Sequence, residues 1–245
     1  MERGVRIMRI SSIEHSAGRR AGGFRPLLVI AVLGIFLLGT GPAWAMSNQE
    51  RINQATQVVR EMSNQSDTGT MASLLRSAKG VAIFPSVFKA ALGFGGRHGE
   101  GLILRHDAKR NRWYGPSFVD ISGASWGLQI GVETTALMLI ITNERGMAGF
   151  TGDNVTLGGN LSVAAGPVGR SASAATNLTA SIYSYSMSKG LFAGISLGGA
   201  VVDTRQDKNR EYWKKNLSSG RILKIRATNS RIRPLLGALN SLLKK

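Results

Sequence analysis

The chain contains no cysteine. Disulfides, thiolate metal sites and a lipidated cysteine at a processed N-terminus are therefore excluded. The compartment stays open, because an exported protein can also do without cysteine. Histidine is scarce too, at His15, His98 and His106. His98 and His106 are eight residues apart and do not form the helical H-E-x-x-H pair. Glu100 and Asp107 beside them are common turn residues. The expectation is two histidines that are solvated or simply hydrogen-bonded, with no metal site and no cofactor. The glycine-rich stretch Phe94 to Gly101 lacks the G-x-x-x-x-G-K-[ST] pattern, and a strand pattern follows it, so it is not a phosphate loop. The apolar run Leu27 to Leu38 has twelve residues, short of the ~20 that a membrane-spanning helix needs.

Acidic residues are outnumbered. Thirty-one Lys and Arg stand against 14 Asp and Glu, for a net charge of +17. Residues 1–45 hold six arginines and two glutamates, so the remainder keeps 25 basic against 12 acidic residues. Such a surface attracts polyanions: nucleic acid, anionic membrane or an acidic polymer. No nucleic-acid recognition motif is present, and aromatic residues do not cluster with the basic ones. No specific nucleic-acid partner is expected.

Arg19, Arg20 and Arg25 precede the apolar run, Gly39, Gly41 and Pro42 break it, and Ala43-Trp44-Ala45 follows. A basic region, a short apolar core and an A-x-A site read as a signal peptide over residues 1–45, cleaved after Ala45. The protein is then exported, to the periplasm or to the periphery of the cell envelope. Residues 46–79 form a helical segment, with Ile52, Ala55, Val58, Val59 and Met62 at helical spacing and Met71, Leu74, Leu75 and Ala78 as a second set. Its charges are mixed: Arg51, Arg60, Arg76 and Lys79 against Glu50, Glu61 and Asp67. A membrane-surface helix has a more basic face, so packing on a sheet is expected.

Residues 80–217 read as a β-rich core. Short runs at Val81 to Val87, Leu102 to Arg105, Trp113 to Tyr114, Phe118 to Ile121, Ser125 to Val132 and Ala136 to Thr142 predict separate strands. His106 to Arg112 reads as a hairpin with a basic tip. From Asp153 to Gly199, two glycine-punctuated blocks flank a polar bridge. Val155, Leu157, Leu161 and Val163 alternate in the first, and Ile182, Leu191, Ala193, Ile195 and Leu197 alternate around the turn Ser188-Lys189-Gly190 in the second. Asp207 to Asn216 reads as helix. Residues 218–245 form a basic tail, ending in a helix from Pro234 with Leu235, Leu236, Leu239, Leu242 and Leu243 on one face. Docking of these leucines on the core is preferred to their meeting lipid.

Four segments, NVTLGGNLSVAAGPVGR, YSYSMSKGLFAGISLGG, AKGVAIFPSVFKAALGFGGRHGEG and GASWGLQIGVE, resemble the SYLF domain family. They occur in the family's order, and the resemblance covers residues 47–245. It implies a lipid-binding domain, related both to yeast actin-patch proteins and to exported bacterial proteins. It carries no residue-level site with it.

Two G-x-S-x-G pentapeptides centre on Ser125 and Ser196. Neither is followed by the helix that a hydrolase nucleophile elbow requires, so no enzyme is expected. The basic residues near predicted turns are the better candidates for a site: Lys189, Lys89, Arg97, Lys109, Arg110, Arg112 and Arg170 as contacts for lipid phosphate, with Lys189 inside the family's SKG hallmark. The fold expected is α+β. A strongly curved, largely antiparallel, glycine-rich sheet closes towards a barrel, with an N-terminal helix and C-terminal helices packed on it. The function expected is a non-catalytic module of the bacterial cell envelope that binds anionic phospholipid. The alternative is a structural or protein-interaction envelope protein with incidental lipid affinity, and a serine hydrolase is third.

Overall fold

The computed structural model describes residues 46–65, 68–159, 161–166, 179–193 and 197–245, with backbone alone at 92–94, 125–130 and 193. The expected signal peptide lies outside the described residues. Among these residues no helix is long and apolar enough to cross a membrane.

Helix α1 (Asn48–Ser63) begins where the Ser47 side chain accepts a hydrogen bond from the Glu50 amide. Its apolar stripe, Ile52, Ala55, Val58, Val59 and Met62, is buried, as are Met71, Leu74 and Leu75 of α2 (Thr68–Ser77). The predicted string of separate strands is instead two long ones, β1 (Gly80–Asp107) and β2 (Arg112–Ile141), paired antiparallel along their whole length. Pro85, which read as a break, is accommodated at a register shift within the pair, while Gly95, Gly96, Gly99 and Gly101 stay in regular register. Register shifts fall between Phe84 and Val87, Leu92 and Phe94, and Ile103 and Arg105.

This ribbon turns back on itself at 92–94 and 126–130, so that the two halves of β1 lie side by side. The His106 amide donates to the Lys79 carbonyl at 2.8 Å. A Cβ on Gly101 would come within 2.5 Å of Ile83 O, and one on Gly99 within 2.8 Å of Ser86 O. After α3 (Glu144–Gly149) come β3 (Asn154–Thr156), β4 (Val163–Ala165), β5 (Ile182–Ser188), β6 (Leu191–Ala193) and β7 (Val201–Thr204). The start of β2 pairs with β7, which pairs with β3. The end of β2 pairs with β5, which holds β4 in parallel and β6 antiparallel. The result is the curled, largely antiparallel sheet expected, seven-stranded and mixed.

The first glycine block is less regular than its alternation suggests. Gly158, at φ +77°, reverses the chain so that Leu157 bridges Leu161, and both leucines are buried. A strand cannot pass through that turn.

Both faces of the sheet are covered. Val81, Ile83, Leu102, Leu104, Phe118, Met138 and Ile140 face the helices, including α6 (Arg233–Leu242). Their strand neighbours Ala82, Ile103, Val119, Leu137 and Leu139 face Met147, Phe150, Leu157 and Val202. α4 (Gln206–Trp213) is tied to β2 through buried Asn209, whose Oδ1 accepts from the Phe118 amide at 2.7 Å. α5 (Ser219–Ile222) leads into the final segment. Leu235, Leu239 and Leu242 of α6 are fully buried. At about 1.5–3 kcal/mol per buried leucine, docking of this helix on the core is well accounted for.

The close approach within β1 gives a direct test. Gly101→Ala is expected to cost at least about 2 kcal/mol in urea unfolding, because the methyl meets backbone that has no room to shift. Gly237→Ala, in the middle of α6 with open space around it, is expected to stabilise by about 0.5–1 kcal/mol.

Candidate functional site

The folding of the ribbon carries some of the basic residues to its two ends. One end holds the hairpin tip. Asp107 accepts from the Arg110 amide at 3.2 Å and from its guanidinium at 3.1 Å, which closes the turn before Asn111, itself left-handed at φ +47°. Lys79 is pinned beside this tip, its amide on Ile141 O and its carbonyl taken by His106. The C-terminal segment is laid alongside by Gly115 N to Ile225 O at 2.9 Å and Ala227 N to Trp113 O at 2.9 Å, which brings in Lys224. The outcome is a cavity of about 320 Å³ lined by Lys79, Arg105, Lys109, Arg110 and Lys224, with Asp107 and Glu144 as its carboxylates among the described residues. Lys79 pairs loosely with Glu144 at 3.7 Å.

His106 also lines this cavity and is buried. It stacks on Trp113 at 4.1 Å. Its Nδ1 lies 3.2 Å from Ala78 O, which can only accept, so that nitrogen carries the proton. Nε2 is buried without a hydrogen-bond partner among the described residues. Burial pushes the imidazole below its ordinary pKa, partly offset by Asn111, the Ala78 carbonyl and Asp107. The histidine expected to be solvated or simply hydrogen-bonded is thus a buried, hydrogen-bonded one.

The opposite end holds the bend of the ribbon and the β5–β6 turn. Lys189 and Gly190 form a two-residue hairpin loop with φ +50° and +76°. Both positions require the left-handed region, where asparagine and glycine are favoured. An exposed lysine there costs about 1 kcal/mol. Lys89 lies opposite Glu133 near the bend. At this end Phe88 is 48 % exposed, and Val132 and Leu191 are each 70 % exposed. Phe88 and Val132 share one face of the ribbon, through the pairs Phe88–Thr134 and Ala90–Val132.

The seven candidates therefore do not converge. Lys109 and Arg110 join the cavity, and Arg112 is exposed on β2 outside it. Lys189 and Lys89 belong to the other end, roughly 30 Å away along a strand. Arg97 is half-buried in mid-ribbon opposite Gly123, and burial lowers its pKa. Arg170 and Ser196 lie outside the described residues, and Ser125 is described by backbone alone.

A third charged group was not anticipated. Arg51 of α1 is fully buried. Its guanidinium donates to Glu100 at 2.6 Å, to Gly101 O at 3.3 Å and to Asp120 at 3.5 Å. Arg205 also bonds Asp120, and bonds Asp207 at 2.8 Å. Asp207 first and then Asp120 hold the Arg205 guanidinium well above its ordinary pKa, and Arg205 in turn lowers that of Asp207. His98, Glu100 and Asp120 bring potential ligand atoms within 4.8 Å of one another, a grouping their spacing did not suggest. Both carboxylates are already engaged by arginines, and a divalent cation would meet a buried guanidinium. The cluster is an ion-pair network that fixes α1 and the segment before α4 to the middle of the sheet.

The curled sheet and its helical cover define an α+β domain. The chain is similar to the SYLF, or Ysc84, family. A family profile described as "Ysc84: Las17-binding protein actin regulator" matches residues 122–242, a description of binding and regulation rather than of a catalysed reaction. Protein YSC84 of Saccharomyces cerevisiae is 41% identical over 155 residues, 61% of this chain and 33% of that protein. LAS seventeen-binding protein 3 of the same yeast is 39% identical over 166 residues, 66% of this chain and 35% of that protein. SH3 domain-containing YSC84-like protein 1 of Homo sapiens is 35% identical over 178 residues, 69% of this chain and 52% of that protein. The chain thus spans about a third to a half of the length of these relatives. No solved structure matches it.

Arg51→Ala is expected to cost about 3–5 kcal/mol in urea unfolding, since it leaves Glu100 without its buried partner and Asp120 with Arg205 alone. His106 sets a pH dependence. Its folded pKa lies below the ordinary 6.5, so in that window the unfolded state binds more protons and stability falls as pH drops. His106→Phe is expected to reduce the loss of Tm between about pH 7 and about pH 5.

Proposed function

We propose that this domain is a non-catalytic membrane-binding module of the cell envelope that docks on anionic phospholipid through the end carrying the β5–β6 turn. With residues 1–45 read as a signal peptide, it works after export, in the periplasm or at the envelope periphery. The observation that carries this reading is the combination at that end. Three large apolar side chains, Phe88, Val132 and Leu191, stay exposed where Lys189 holds a left-handed backbone. The fold gains nothing from a lysine in that conformation, whereas an anionic surface rewards one by about 1 kcal/mol. Apolar side chains that enter the acyl boundary add the area term, about 25 cal/mol per Å². The family resemblance to lipid-binding proteins points the same way.

A protein partner on the same apolar end is the second reading. It is favoured by the name of LAS seventeen-binding protein 3 and by the family description, both of which speak of binding to Las17. A partner in the envelope is then the natural candidate for this chain.

Vesicle co-sedimentation separates the two. The purified chain is expected to bind anionic vesicles at about 0.15 M salt, where the Debye length is about 8 Å, and to bind zwitterionic ones weakly. Lys189→Gly removes the charge and relieves the backbone, so Tm should hold or rise while binding weakens about fivefold. Leu191→Asp should weaken it about tenfold or more. Binding that vanishes at that salt, or that ignores both changes, would leave the protein-partner reading in its place.

A further inference from the structure

We propose that the cavity at the hairpin-tip end, lined by Lys79, Arg105, Lys109 and Lys224, is a binding site for a soluble phosphate monoester or inorganic phosphate. That the cavity takes a phosphate group stands on its own geometry. That the ligand is soluble rests on the membrane reading above.

Three observations carry it. First, the cations come from separate parts of the chain: the residue before β1, the end of β1 with its turn, and the segment after α5. Backbone hydrogen bonds from Lys79, Gly115 and Ala227 hold those parts together, so the like charges are gathered by the fold and not by one flexible loop. Second, the charges are not neutralised. Five cations face two carboxylates in the lining; Asp107 is taken by Arg110, and Glu144 reaches Lys79 only at 3.7 Å. Arg105, Lys109 and Lys224 form no ion pair with any described residue. Mutual repulsion in a concave site is relieved by an anion, and the concavity focuses the field upon it. Third, about 320 Å³ lies at the small end of ligand sites, room for a phosphate with a modest polar substituent. Arg105 supplies the planar fork that phosphate oxygens accept in pairs, and the lysines supply point charges.

The place of the cavity decides the source of the phosphate. It opens at the end opposite Phe88, Val132, Leu191 and Lys189, roughly 30 Å off along a strand. When that end meets a bilayer, the cavity faces the aqueous side, beyond the reach of head groups in the same leaflet.

The test is a titration of the isotopically labelled chain with inorganic phosphate in chloride of matched ionic strength, followed by amide NMR. Saturable shifts confined to the amides near residues 79, 105–110 and 224 are expected. The double variant Arg105→Gln/Lys224→Gln, at one half-buried and one exposed position, should keep the wild-type unfolding midpoint and weaken binding about a hundredfold, at about tenfold per charge-assisted contact. Lys189→Gly should leave it unchanged. Shifts spread over lysines everywhere without saturation, or a double variant that binds as well as wild type, overturn the site. Vesicles of phosphatidic acid, a lipid phosphate monoester, supply the second arm. Loss of vesicle binding in Lys189→Gly alone supports the soluble assignment. Loss in the double variant alone overturns it, and with it the choice of membrane end. Vesicle binding indifferent to both, with saturable phosphate shifts retained, removes the membrane reading and leaves the cavity standing.

Discussion

Where β1 doubles back, its two halves approach so closely at Gly99 and Gly101 that a single methyl group would overlap the backbone opposite. That approach lets one ribbon supply the centre of the sheet twice over. It gives the start and the end of β2 separate neighbours, β7 on one side and β5 on the other. It also fixes the two poles of the domain, the hairpin tip beside Lys79 at one and the bend with the β5–β6 turn at the other. Ordinary side chains in the crossing would force the halves apart, and the two cores on either face of the sheet would lose their common wall.

The helical cover depends on a different kind of contact. An apolar stripe alone lets a helix slide or rotate on a sheet. Arg51 removes that freedom, because its guanidinium finds Glu100, Asp120 and the Gly101 carbonyl in one orientation only. Buried ion pairs contribute little net stability once desolvation is counted, so the gain here is in position. The same carboxylate, Asp120, also receives Arg205. One acidic side chain therefore registers both the first helix and the chain entering α4.

Much of this was legible in the sequence. Helical spacing located α1, α2 and α6, and the buried leucines of α6 match the stripe read from the tail. The basic hairpin tip fell where His106 to Arg112 placed it. The continuity of β1 and β2 was not legible, because glycine and proline look alike whether they end a strand or bulge it. Nor was the gathering of Lys79, Arg105, Lys109 and Lys224 at one pole, since that follows from a long-range fold of the ribbon. Lys224 reaches the cavity from far downstream, and no local pattern announces it. Arg51 did leave a trace. It sits four residues before Ala55 and seven before Val58, on the buried stripe and not on the polar face.

The edges of the sheet have a consequence for behaviour in concentrated solution. Outside the central ribbon, the peripheral strands β3, β4 and β6 are three residues each among the described residues. A row of unpaired backbone groups is the template on which one sheet recruits another, and its hazard grows with its length. Three residues give an incoming strand little to align on, and a surface of strong positive charge repels a second copy before it arrives. A sheet rich in alternating apolar residues is thereby kept from growing by addition of its own kind.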